Sequence, residues 1–153
     1  FRAAIAIRDS ADSVGPSNQA TSLTGLAMLM QQTQRYDEAE DLYGQALILN
    51  RQALGENHPS VAQNLNNLAT VHKEQGDLVT AEALYVEAIA VLEKSTFPSH
   101  RQMAICLENL ASLYRDTDRS ALAKQTFSRA ARFRLLDETS SRESKPNVQS
   151  SAP

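Results

Sequence analysis

Between Val61 and Lys94 two apolar stripes recur at helical spacing, first Leu65, Leu68, Ala69 and His72, then Leu78, Ala81, Tyr85 and Ala88. Polar residues fill the positions between them, and Gln75, Gly76 and Asp77 separate the two. The pattern predicts a helix, a tight turn and a second helix. Gly76 suits the left-handed position that closes the first helix, and Asp77 can accept amide hydrogens at the start of the second.

The same residue types return 42 residues away in both directions, as in Ala27, Ala69 and Ala111. Further small columns are Ala20, Ala62, Ala104 and Ala39, Ala81, Ala123, and large ones are Leu23, Leu65, Leu107 and Leu26, Leu68, Leu110. An aromatic column runs Tyr43, Tyr85, Phe127 with Phe1 in register, followed by Ala46, Ala88, Ala130 with Ala4. A match in so many ungapped columns is an internal repeat. Small residues let two antiparallel helices approach closely, and the aromatic supplies bulk between neighbouring units. One hairpin cannot bury its own apolar face, so the hairpins are expected to stack into a solenoid.

In the middle unit, Leu65, Leu68, Ala69, His72, Ala81, Tyr85 and Ala88 resemble the signature of the tetratricopeptide repeat family. That signature is large, Leu, small, aromatic, Ala, aromatic, Ala; Leu65 stands where the family often has Trp, and only Tyr114 keeps the first aromatic. The long unit, with LGENHPSVAQNLNNLA from Leu54 to Ala69, resembles the kinesin light chain subgroup. The resemblance implies an all-α fold, a right-handed α-α superhelix of antiparallel helix hairpins.

The repeats set the expected organisation. Residues 1–9 read as the second helix of a truncated repeat, 18–54 as repeat 1, 59–95 as repeat 2 and 99–137 as repeat 3. A loop with Gly15 and Pro16 as breakers precedes the first full unit. Residues 138–153, ETSSRESKPNVQSSAP, hold Val148 as their one aliphatic residue and are expected to be a flexible polar tail. Phe1 falls inside a repeat, so the chain reads as a piece of something longer.

Composition narrows the partners. A net charge of −3 lacks the basic excess of a general nucleic-acid binder. No apolar run approaches the ~20 residues that cross a bilayer, and no signal peptide is visible. The one cysteine, Cys106, excludes an intrachain disulfide, and a cytoplasmic setting is expected. Cys106 reads as a small apolar packing residue. No phosphate loop, nucleophile motif or carboxylate pair stands out, so no enzyme and no cofactor are expected. His58 and His100 lie in loops and His72 in the core stripe; a zinc site needs three or four converging ligands, and a structural role is expected for all three.

The resemblance implies that the first helices of the units line a concave groove for extended peptides or partner helices. Residues pointing away from the core there are Gln63, Asn66, Asn67, Thr70 and Lys73 in the middle unit, and Glu108, Asn109, Ser112 and Arg115 in the next. Asn67 and Asn109 occupy one column, and an amide that both donates and accepts can hold a peptide backbone without reading its sequence. The subgroup resemblance implies the same, since asparagines of the NNLA motif contact cargo peptides in kinesin light chains. Lys73 and Arg115 can pair with an acidic ligand side chain or with neighbouring acids such as Glu74 and Asp116. Arg119, Lys124, Arg129, Arg132 and Arg134 form a basic run, read either as a patch for acidic partners or as a solvated face complementing the helix dipole.

Two functions fit. One is a protein–protein interaction module that binds a peptide or helical segment in the groove, as adaptor or scaffold. The other is a structural spacer or self-association element, with the groove empty or filled by the chain's own tail.

Overall fold

The computed structural model describes residues 15–143, with side chains through residue 141. Among the described residues, regular structure consists of six helices and no strand: α1 (Pro16–Gln32), α2 (Tyr36–Leu54), α3 (Pro59–Gln75), α4 (Leu78–Lys94), α5 (His100–Asp116) and α6 (Ser120–Glu143). They form two compact units, the first ending at Ser99 and the second beginning at His100. In the first unit α1 packs on α2, α2 on α3 and α3 on α4; in the second, α5 packs on α6.

Local chemistry explains where the helices start. Proline opens both α1 and α3, at a position where its missing amide hydrogen breaks no helical bond. α1 therefore starts at Pro16, two residues before the expected boundary, with Gly15 as its N-cap. His58 caps α3 through Nδ1, which accepts from the Ser60 amide at 3.1 Å. Asp77 caps α4 by accepting from the Thr80 amide at 3.1 Å. A hydrogen bond from the Thr80 side chain, followed by this amide bond, holds the Asp77 carboxyl below the ordinary carboxylate range.

Each first helix ends the same way. The amides of Arg35, Asp77 and Arg119 reach back to the carbonyls of Met30, His72 and Tyr114, at 2.9, 2.9 and 2.8 Å. One residue earlier, the amides of Gln34, Gly76 and Asp118 bond the carbonyls of Gln31, Lys73 and Arg115. This pair of bonds closes a helix through one left-handed residue. That residue has φ of 59° at Gln34, 87° at Gly76 and 57° at Asp118.

The small columns are the points of closest packing. Ala20, Ala27, Ala39, Ala46, Ala62, Ala69, Ala81, Ala88, Ala104 and Ala111 have no exposed surface. Tyr43 and Tyr85 are each 1% exposed, and Leu65, Leu107 and Val71 are buried with them. Asn64 is also buried; in the orientation that satisfies its amide, oxygen accepts from the Leu47 amide at 3.0 Å and nitrogen donates to the Ser60 carbonyl at 3.3 Å.

The far end of the chain corrects an expectation. α6 runs to Glu143, six residues into the segment expected to leave the helix at Glu138. A polar run does not by itself end a helix: no glycine or proline intervenes before Pro146, and Thr139 Oγ1 donates to the Leu136 carbonyl at 2.9 Å without breaking the turn. The helix expected over residues 1–9 and the last ten residues of the expected tail fall outside the described residues.

Candidate peptide-binding face

The nine residues expected on the binding face fall into different situations. In the first unit all lie on α3. Gln63 is exposed, and Asn67, Thr70 and Lys73 are half-buried. Asn66 is 8% exposed and so is not on an open face, contrary to expectation. α3 has α2 on one side and α4 on the other, so its buried arc is wider than the single stripe that periodicity reveals. Thr70 is committed within the fold: its hydroxyl donates to the Asn66 carbonyl at 3.0 Å and lies 3.0 Å from the Tyr85 hydroxyl on α4.

In the second unit the candidates lie on α5. Asn109 is half-buried, in the register of Asn67. Glu108 is held by Arg134 of α6 through two bonds of 2.7 and 2.6 Å. The Arg134 hydrogen bond keeps the Glu108 carboxyl below its ordinary range, and Glu108 in turn raises Arg134. Arg115 donates to Ser112 Oγ at 3.2 Å and to Asp116 Oδ1 at 3.4 Å, so its guanidinium is oriented along its own helix. Gln63 and Arg115 are exposed, and Asn67, Lys73 and Asn109 keep part of their surface accessible.

Each histidine has a structural partner. His58 caps α3, and its ring lies 5.5 Å from that of Phe97. The His100 ring lies 6.0 Å from that of Phe133. His72 is half-buried, with Nε2 3.8 Å from Glu40 Oε1 and Nδ1 3.6 Å from Asp77 Oδ2. Among the described residues no three His, Cys, Asp or Glu side chains are grouped to hold a metal ion, and no helix is long and apolar enough to cross a membrane. Cys106 is buried and its thiol is pushed up to about 12, chiefly by desolvation.

The basic run divides. Arg134 belongs to Glu108, and Arg119 stacks over the Tyr114 ring, 4.5 Å from its centroid. Lys124, Arg129 and Arg132 remain together along one side of α6, where they line a shallow groove.

A tetratricopeptide repeat profile matches residues 18–94, just over half of the chain. The chain belongs to the tetratricopeptide repeat family. The crystal structure of BtubC (BKLC) from P. vanneervenii is similar over 97% of this chain and 59% of that one, at 25% identity and a TM-score of 0.76. The crystal structure of a substituted form of a Podosopora anserina protein, described as a kinesin light chain with nearly identical TPR-like repeats, matches 90% of this chain and 60% of that chain. Its identity is 22% and its TM-score 0.66. A second structure of that protein gives 19% identity, a TM-score of 0.65 and coverage of 86% and 63%. The chain thus spans about three fifths of the length of these solved chains. No curated protein sequence gives a significant match. The fold class is the all-α helical-repeat superhelix of this family, with kinesin light chain-like proteins among its structural neighbours. Repeats of this kind are generally non-catalytic protein-interaction scaffolds.

Proposed function

We propose that this chain is a protein-interaction module, a cytoplasmic adaptor or scaffold, that holds a peptide or helical segment of a partner on the faces of its first helices. The observation that carries the reading is the pair Asn67 and Asn109, half-buried at one repeat register on α3 and α5. A half-buried Asn has its stem fixed by packing, and its amide carries both a donor and an acceptor, which suits it to bonding peptide backbone. Gln63 extends the polar face on α3. Lys73 and Arg115, a turn and a half further along their helices, supply positive charge for an acidic ligand side chain.

The test begins with selection of peptides from a random library against the whole chain, followed by fluorescence anisotropy with Asn67→Ala, Asn109→Ala and the double variant. Each single change is expected to weaken binding about threefold to tenfold, the value of one net hydrogen bond. Affinity that ignores the double variant would sink the asparagine assignment. A chain that selects no peptide but self-associates with concentration would instead support a structural spacer.

A further inference from the structure

The second helix of a hairpin turns one strip outward. On α2 that strip is Asp37, Asp41, Gln45 and Ile48, all exposed although α1 and α3 both pack on the helix. Two repeat lengths further on, the same columns are exposed on α6 as Ala121, Gln125, Arg129 and Arg132. Since the packing of α3 leaves the strip on α2 open, exposure of these columns is a property of the repeat, wherever the helix stands in the chain.

The two strips differ in charge. On α2, Asp37 and Asp41 stand one turn apart; Asp37 accepts from Gln75 Nε2 at 3.3 Å, and the adjacent Glu38 is paired with Arg35. On α6, Arg129 and Arg132 stand one turn apart. The opposite end of each strip is apolar. Ile48 is 55% exposed, and Arg51, one turn on, bonds Glu87 of α4 at 2.7 Å, which brings the exposed Val86 to the same side. On α6 that end carries Ala121 and the exposed Leu122.

We propose that the outward strip of α2 is a docking surface for a second copy of this chain, whose α6 lies antiparallel along it. Both strips run the same length, about 16 Å of helix. The antiparallel register sets Arg132 opposite Asp37, Ser128 and Arg129 opposite Asp41, and Ala121 with Leu122 opposite Ile48. Opposite charges then meet at one end and apolar side chains at the other. A parallel register sets Ile48 against Arg132 and Asp37 against Ala121, which wastes both matches. Antiparallel helices also oppose their dipoles favourably.

The contact is weak and concentration-dependent. Exposed ion pairs contribute little each, and one helix strip falls short of the ~1,200 Å² that a stable complex buries. Each copy carries both strips, so a pair of copies makes the contact twice or the contact repeats head to tail. Asn67 and Asn109 lie on first helices and take no part.

The test is sedimentation velocity on the full chain over about 10–500 μM, the range in which a weak pair forms. Association is expected to weaken about tenfold between about 50 mM and about 500 mM salt. Asp37→Lys with Asp41→Lys, and separately Ser128→Glu with Arg132→Glu, should each abolish it by setting like charges together. Mixing these two variants should restore it, because every contact of the mixed pair then joins opposite charges. All four positions are exposed, and circular dichroism checks that the variants fold. The milder Asp41→Asn and Arg132→Gln, which only remove charge, are expected to weaken association about threefold each. The inference fails if the chain stays monomeric throughout that range, if association ignores salt, or if mixing the charge-reversed variants restores nothing. It also fails if Asn67→Ala with Asn109→Ala abolishes association, which places the second copy on the peptide face proposed above.

Discussion

The hydroxyl of Tyr85 lies 3.0 Å from Oγ1 of Thr70, across the two helices of the middle hairpin. Thr70 has one hydroxyl proton, and it goes to the Asn66 carbonyl at 3.0 Å. The Tyr85 hydroxyl is therefore the donor. The aromatic column thus does more than fill space: its ring is buried and its polar tip ties α4 back to α3.

Removing either partner should cost about 1 kcal/mol, the usual net value of such a bond. Tyr85→Phe and Thr70→Val, measured by urea denaturation, are each expected to show that loss. The double variant should lose less than the two singles together, because they share one interaction. Tyr85→Ala is expected to cost about 3–5 kcal/mol, since it also empties a buried aromatic site. Full additivity of the two conservative changes would show that the bond contributes nothing.

The turns give a second prediction. Gln34, Gly76 and Asp118 share one left-handed conformation at 42-residue spacing, yet only one of them is glycine. A left-handed residue with a Cβ costs about 1–2 kcal/mol, and Asp pays less than Gln because its short side chain bonds locally. Gln34→Gly is expected to raise stability by about 1 kcal/mol and Asp118→Gly by less. Gly76→Ala should lower it by about 1 kcal/mol or more. A Cβ at Gly76 meets no atom within 4 Å, so any loss there is conformational. Thermal melts of the three variants test the order, and destabilisation by Gln34→Gly would refute it.

Acid should weaken the second unit through Glu108. Arg134 hydrogen bonds hold its carboxyl below the ordinary range in the folded chain. A depressed folded pKa means that the contribution is present above the unfolded value, about 4.3, and is lost as pH falls through the folded one. The pair is partly exposed, with 52% and 33% of the Arg134 and Glu108 side chains accessible, so the effect is small and screened by salt. Glu108→Gln is expected to be less stable than the parent at about pH 7 and to converge with it as the pH falls through the folded pKa. Parallel stability curves for the two across that range would rule the linkage out.

Much of this architecture was legible because its causes are local or periodic. The alanine columns, the turn at Gly76 and the Asp77 cap each follow from residue type at a fixed spacing, and each is present in the fold. What escaped depends on neighbours from elsewhere in the chain. Asn66 reads as solvent-facing on a lone helix and is buried because α3 has a helix on either side. Thr70 and Glu108 read as free polar groups until Tyr85 and Arg134 arrive from the paired helix. The left-handed turns at Gln34 and Asp118 carry no glycine to announce them, although alignment with Gly76 identifies the column. α6 overran its expected end because only the apolar pattern stops there, while the backbone finds no breaker.

Alkali should weaken the first unit through Tyr43. Its hydroxyl donates to Gln31 Oε1 at 3.2 Å, and Gln31 Nε2 donates to Glu74 Oε2 at 3.1 Å, a relay that joins α2, α1 and α3. Burial, and secondarily the Glu74 carboxylate, push the Tyr43 pKa up from 10.0 to about 12. In the unfolded chain the same phenol ionises near about 10. Between these values the unfolded state has lost a proton that the folded state keeps, so stability is intact below about pH 10 and falls as pH rises towards about 12. Tyr43→Phe is expected to start lower, having lost one hydrogen bond, but to decline less over that interval. Glu74→Gln should relieve only the smaller, electrostatic part, because desolvation of the ring remains. Urea midpoints at about pH 9 and at about pH 11.5 separate the three chains. An alkaline decline in Tyr43→Phe as steep as in the parent would place the titrating group elsewhere.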